Sequence, residues 1–202
     1  MKLNKCANAI FQLASVNRYS DHRLVNDESV LEHSGFVCMM ALFISESIKD
    51  ENPNIEINQE LLLKKAILHD FDEIITGDIA MPIKYHSKEL RDLIGEMEHE
   101  AVDKISKDLF GNNFIYNVWS TSKSGKEGGI VSLCDALAVL YKIYDETILR
   151  GNLTVGHIAV NADKSIQLKI KRLEDHFGIL EVFDYINSEC MYIVNQIKRK
   201  LK

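Results

Sequence analysis

From Val30 to Ile48, apolar and small side chains recur every three or four positions. Val30, Leu31, Ser34, Val37, Cys38, Ala41, Leu42 and Ile48 fall on one face at the period of an α-helix. The spacing returns at Leu90, Leu93, Ile94, Met97, Ala101, Ile105 and Leu109, where Gly111 then stops the helix. It returns again over 129–149, ended by "RGN", and at Ile179, Val182, Phe183, Ile186, Ile193, Val194 and Ile197. Asn58 is placed to cap a helix reading "QELLLKKAILHD". Only "NLTVGHIAV" alternates like a strand, and it is isolated and also reads as a helix start. With 2 Pro and 10 Gly, the chain has too few breakers for a loop-rich β fold. Helical stripes without a sheet must bury one another, so an all-α helical bundle is expected over 1–202 as one domain. The segments "KDENPNIEIN" (49–58) and "SKSGKEGG" (122–129) are expected to be flexible loops.

Charge and cysteine usage narrow the partners. A net charge of −6 with mixed signs argues against binding a nucleic-acid polymer by bulk charge, but leaves room for a small phosphorylated ligand. Cys6, Cys38, Cys134 and Cys190 form no CxxC pair, which reads as free, mostly buried thiols in a reducing compartment. No signal-peptide pattern and no membrane-length apolar run is apparent, so a soluble cytoplasmic protein is expected.

Four side chains sit where a core would not place them. His33 lies on an apolar helical face beside Val30, Phe36 and Val37. His69 and Asp70 close an apolar helix, and Asp135 interrupts "SLCDALAVL". A lone His-Asp pair is more often a hydrogen-bonded core histidine followed by a cap. Two imidazoles and two carboxylates aimed into apolar surroundings from three helices are a different matter. Packing does not ask for them, whereas a divalent Mn, Fe, Co, Ni or Zn ion does. Glu73 falls one turn beyond His69, so both can face one cavity. Asp78 follows Gly77, which permits a sharp reversal, and Pro82 stiffens the segment carrying Lys84. Asp72 is expected to face solvent and Thr76 to stabilise the turn. His22, His86, His99, His157 and His176 lie in polar contexts. Tyr116 and Trp119 read as packing between helices, and "KIKR" (169–172) and "KRKLK" as solvated helix faces.

The order His, His-Asp, distant Asp resembles the HD-domain metal phosphohydrolases. "NRYS", "EHS", "HDFDEIITGDIAMPIKY", "CDALAVLYK" and "GN" together resemble their YfbR-like 5′-deoxynucleotidase subgroup over about residues 17–152. The resemblance implies a single HD-domain helical bundle on which helices of 153–202 pack. It further implies a bound divalent metal, with Co, Mn, Zn, Ni and Fe all open and an additional substrate-bound Mg or other divalent ion also open. His33, His69, Asp70 and Asp135 match the metal ligands. Glu73 and Asp78 match catalytic acids, with the division between general base and general acid open. Arg18 and Lys84 match phosphate contacts. Tyr19 stands where the subgroup has Trp, an aromatic wall against the 2′ position of the sugar. The reaction implied is hydrolysis of a deoxynucleoside monophosphate to deoxynucleoside and phosphate, by a homodimer or higher homo-oligomer. Two alternatives accompany it. One is a dNTP triphosphohydrolase, such as one acting on dATP, with Lys123 and Lys126 serving the extra phosphates. The other is an inactive nucleotide-binding or interaction module.

Overall fold

A computed structural model describes residues 2–202, with Met81 described by its backbone alone. Along the described residues run α1 (Leu3–Ser15), α2 (Val30–Glu51), α3 (Gln59–Leu68), α4 (Glu73–Thr76) and α5 (Met81–Lys84). They are followed by α6 (Lys88–Phe110), α7 (Phe114–Trp119), α8 (Gly125–Tyr144), α9 (Ile158–Phe177) and α10 (Glu181–Lys200). A π-helical turn (Asp145–Leu149) and a 3-10 turn (Leu153–Val155) join α8 to α9. No strand is present among these residues; one isolated bridge pairs Asn17 with Ser29. The all-α expectation holds. No helix is long and apolar enough to cross a membrane among the described residues, and all four cysteines are free.

Local chemistry sets the helix ends. Ser29 and Glu32 form a reciprocal capping box that starts α2, satisfying two amides the first turn leaves without partners. The Asn58 side chain accepts from the Leu61 amide at the start of α3, as its position in the sequence indicates. Gly111 ends α6 with φ 73°, a left-handed conformation that glycine adopts without a Cβ clash. The N-terminus of α10 is capped at long range: the Glu51 carboxylate accepts from the amides of Glu181 and Val182 at 2.6 and 2.7 Å. Ile179, counted above in the last apolar stripe, lies outside α10 and is 82% exposed. Gly178, with φ 80°, has already turned the chain there.

The largest core cluster is built around α8, whose Ile130, Leu133, Leu140 and Ile143 are fully buried against α2, α3 and α9. A second cluster joins α1 to α6 and α7 through Leu13, Val102, Leu109, Ile115 and Trp119. Val30 and Phe71 belong to the second cluster, Val37 and Ala66 to the first. His33 and the His69-Asp70 pair therefore lie between the two along the chain. Burying either cluster orients the candidate ligands.

Two expectations are corrected here. The buried face of α6 is turned by about one residue from the predicted stripe: Ile94, Glu98, Val102 and Leu109 are buried, while Leu93 and Met97 are exposed. Glu98 is accommodated because Lys84 donates to it at 3.0 Å, so a carboxylate takes a position that the apolar pattern had excluded. The segment 122–129 is not a loop throughout, because α8 begins at Gly125, four residues before the predicted start. The glycines of "KEGG" serve close approach. A Cβ on Gly128 would stand 2.6 Å from the Lys123 carbonyl carbon and 2.9 Å from the Ser122 oxygen. Backbone atoms cannot swing aside as a side chain can. Gly128→Ala is therefore expected to lower stability by about 1–3 kcal/mol, the range for overpacking, seen as a drop in the calorimetric midpoint.

Candidate metal centre

The C-terminus of α3 is where the chain stops being purely structural. His69 is the C-cap of that helix, and its Nδ1 lies 2.8 Å from the Ala66 carbonyl. An Nδ1–H donated there leaves the Nε2 lone pair free and aimed away from the helix. His33, one turn into α2, points its own Nε2 at the same spot, 3.2 Å from His69 Nε2. Asp70 Oδ2 lies 3.2 Å from His69 Nε2 and 3.5 Å from His33 Nε2. Asp135, on α8, places Oδ1 3.2 Å from His33 Nε2. One ligand atom from each of the four lies within 4.8 Å of the others. Both histidine side chains are fully buried, and both carboxylates are partly exposed. Three helical elements thus deliver the four residues to one point, as their spacing indicates.

The donor set fits a divalent cation. Two imidazole lone pairs facing each other have no mutual hydrogen bond unless one ring holds its proton on Nε2. Burial pushes His33 down to about 4, so its ring is neutral near pH 7. Burial opposes charge on Asp70 as well, but His69 and Lys123 hold it well below the usual carboxylate range. Asp135 is likewise held low against burial, by Lys123 and the His33 hydrogen bond. At His69 burial opposes a proton, but the charge and hydrogen bond of Asp70 together with the charge of Asp135 outweigh it and favour one. A divalent cation would compete for that place, so affinity for it falls as pH is lowered. Neutral imidazoles and ionised carboxylates suit Mn, Fe, Co, Ni or Zn.

Arg18 and Tyr19 come from the segment between α1 and α2. Its neck is tied by Val30 N–H to Val16 O (2.9 Å) and Arg18 N–H to Glu28 O (2.8 Å). Glu146, fully buried in the π turn, accepts from the amides of Val25 and Asn26 at 2.7 and 3.0 Å. Against the effect of burial, its hydrogen bonds from Asn152 and those two amides hold Glu146 at about 2. So tethered, Arg18 donates from Nη1 to Asp70 Oδ2 at 3.0 Å, and its Nε lies 3.4 Å from Glu28 Oε2. Tyr19 adopts φ 58°, which costs a non-glycine residue about 1–2 kcal/mol. Asp78 supports that conformation by accepting the Tyr19 amide at 2.5 Å.

The acidic neighbours separate by environment. Glu73 flanks the cluster with Oε2 buried and without a hydrogen-bond partner. Burial, followed by the charge of Asp70, pushes Glu73 up to about 9. A cation at the cluster would offset Asp70 and bring Glu73 toward a range in which it gives and takes a proton. Asp72 departs from expectation: it is buried rather than solvent-facing, and accepts from Trp119 Nε1 at 2.7 Å. Burial, then Asp70, raises it to about 6. Its partner is 47 residues away, so no local pattern announces the contact. Trp119→Phe would leave this carboxylate without its donor. The expected loss is about 1–3 kcal/mol, the penalty for one unsatisfied buried group, read by chemical denaturation. Thr76 donates to the Gly77 carbonyl at 2.9 Å, in keeping with a turn role.

Among the basic groups, Lys84 contacts Glu98 rather than the four-residue cluster. Lys123 reaches the cluster itself, with Nζ 3.1 Å from Asp135 Oδ2 and 3.5 Å from Asp70 Oδ1. Lys126 instead turns away to the Glu56 carbonyl.

Comparison with known proteins bears on the family and the fold. The family model described as 5′-deoxynucleotidase YfbR-like matches residues 6–177. The 5′-deoxynucleotidase YfbR of Salmonella paratyphi B is 29% identical over 174 residues, covering 80% of this chain and 82% of the relative. Among solved structures, an HD-domain phosphohydrolase from Listeria innocua superposes with a TM-score of 0.67 at 23% identity, covering 99% of this chain and 100% of that one. The cyanophage S-2L HD phosphohydrolase DatZ, bound to dA and one catalytic Zn2+, gives 0.59 at 16% identity, covering 95% and 96%. At these identities the structural likenesses speak for the fold alone.

Proposed function

The chain belongs to the YfbR-like 5′-deoxynucleotidase family, and from that membership we propose that it hydrolyses the O5′–phosphorus bond of deoxynucleoside 5′-monophosphates, giving deoxynucleoside and phosphate. The observation that carries this reading is the convergence of His33, His69, Asp70 and Asp135 on one point beside Glu73 and Arg18. These four residues would hold the cation, which when bound supplies Lewis acidity toward phosphoryl oxygens and makes a water nucleophilic near neutral pH.

The protein's own groups do the rest. Glu73, with its unpartnered Oε2, orients the attacking water and exchanges a proton with it. Arg18 keeps its positive charge, since Asp70, Tyr19, Asp135 and Glu73 together outweigh burial, and offsets charge on the phosphoryl oxygens. Lys84 contributes to the same field once it exchanges Glu98 for phosphate. Asp78, anchored to the Tyr19 amide, is the candidate donor to the departing O5′. The half-buried Tyr19 ring supplies the wall against the sugar. Residues 1–202 act as one unit in this reading, since α9 and α10 pack on the helix that carries Asp135.

A substrate panel tests the proposal. The protein, supplied with Co, Mn, Mg or Zn, is incubated with each dNMP and NMP, and the products are separated. Phosphate release from dNMPs with at least about tenfold preference over NMPs is expected, a difference of about 1.4 kcal/mol. No release from any nucleotide with any metal would contradict the reading and leave a binding module in its place.

A further inference from the structure

Arg18 leans on an oxygen that the metal centre needs. Its Nη1 donates to Asp70 Oδ2 at 3.0 Å. That same oxygen faces His69 Nε2 at 3.2 Å and His33 Nε2 at 3.5 Å, so it is the one Asp70 offers to the cluster. Once Asp70 Oδ2 serves a cation, Arg18 keeps a poorer acceptor there and meets like charge at short range. A second carboxylate stands on the other flank of Arg18. Glu28 Oε2 lies 3.4 Å from Arg18 Nε, with the arginine and glutamate side chains 10% and 17% exposed. Among the described residues neither Arg18 Nε nor Glu28 Oε2 makes a hydrogen bond, although both atoms are buried. Leaving such charged groups unsatisfied is costly. Burial accordingly pushes the Glu28 carboxyl up, with Arg18 the first of the charges that oppose it. The backbone keeps the two side chains together, since Arg18 N–H donates to Glu28 O at 2.8 Å. A shift of about half an ångström would close the remaining gap to an ordinary hydrogen bond.

We propose that Glu28 is a positioning residue for Arg18: it takes the guanidinium over from Asp70, which frees Asp70 Oδ2 to act as a ligand and holds the Arg18 Nη groups toward phosphate. The phosphate half of this inference rests on the proposed hydrolysis. The change of partner at Arg18 does not, because it follows from one oxygen of Asp70 being asked to serve both the guanidinium and the cluster.

The test titrates the full chain with CoCl2 by calorimetry in a double-mutant cycle of Glu28→Gln and Arg18→Met, and measures dAMP hydrolysis in the wild type and in Glu28→Gln. With Arg18 present, Glu28→Gln is expected to weaken cobalt binding about tenfold, as for other groups that orient a metal ligand from behind. With Arg18→Met there is no guanidinium to take over, and the same change should alter affinity by less than about twofold. A merely structural role would weaken binding equally in both backgrounds. For dAMP, Glu28→Gln should raise KM about tenfold and leave kcat within about threefold, because the phosphoryl oxygens are charged before and during bond breaking. Glu28→Asp keeps the charge and shortens the reach. It should show the same dependence on Arg18 with a smaller loss, and it carries the test should Glu28→Gln fold poorly. Equal losses in both backgrounds, or no loss in either, would overturn the role of Glu28 and leave the proposed function standing on dAMP hydrolysis by the wild type. A fall confined to kcat would overturn its part in holding Arg18 toward phosphate. Cobalt affinity that depends on Glu28 only when Arg18 is present, in a chain that hydrolyses no nucleotide, would support the change of partner and sink the proposed activity.

Discussion

Asp70→Ala is expected to abolish measurable cation binding and hydrolysis together. Asp70 is the hub of the cluster: its carboxylate lies within 3.5 Å of His33, His69, Arg18 and Lys123. Removing it takes away one of four ligands and leaves Arg18 and Lys123 facing the remaining donors, which repels a second positive charge. Outer-shell changes alone weaken metal binding by about 10–100-fold, so the loss of a ligand should exceed about a hundredfold by calorimetric titration with Co or Mn. The cation's contribution to catalysis is several kcal/mol, and each 1.36 kcal/mol is tenfold in rate. Turnover should accordingly fall by about a thousandfold or more. Asp70→Asn, which keeps the shape, should behave alike in both measurements. A variant with full turnover and no bound cation would remove the proposed centre from the mechanism.

The second large effect separates binding from chemistry. Glu73→Gln preserves size and hydrogen-bonding reach but cannot exchange a proton. Glu73 is not among the four converging donors, so cation affinity should stay within a few-fold of wild type. Hydrolysis should drop by about 10²–10⁴, the usual share of general acid–base catalysis. The fall should appear in kcat, because the carboxylate is needed at the bond-breaking step rather than for docking. Wild-type kcat in Glu73→Gln would reassign that role, with Asp78 next in line. An unaltered kcat combined with a raised KM would make Glu73 a binding group instead.

Residues 30–48 and 88–109 announce their helices because apolar spacing and caps are local properties. The four candidate ligands are legible for a related reason: each is a polar exception on an apolar helical face, and exceptions to a regular pattern stand out. What escaped the pattern depends on distant partners. Asp72 is buried because Trp119 reaches it from α7, and Glu98 because Lys84 does from α5. Gly128 reads as part of a loop, but it lies in the first turn of α8, where the backbone of Ser122 and Lys123 leaves no room for a Cβ. Lys169 reads as solvated because nothing within a turn of it reveals that Ser132, on α8, accepts its ammonium. The left-handed backbone of Tyr19 is not legible locally either, because Asp78 supports it from 59 residues away.

The central claim is that two histidines and two aspartates share one ion. Crystals grown with CoCl2 and measured at the cobalt absorption edge test it most directly. The account predicts one anomalous peak bonded to His33 Nε2, His69 Nε2, Asp70 and Asp135, at about 2.0–2.2 Å as for nitrogen and oxygen ligands of such ions. A cobalt ion bound elsewhere in an active crystal, with these four side chains splayed apart, would contradict it.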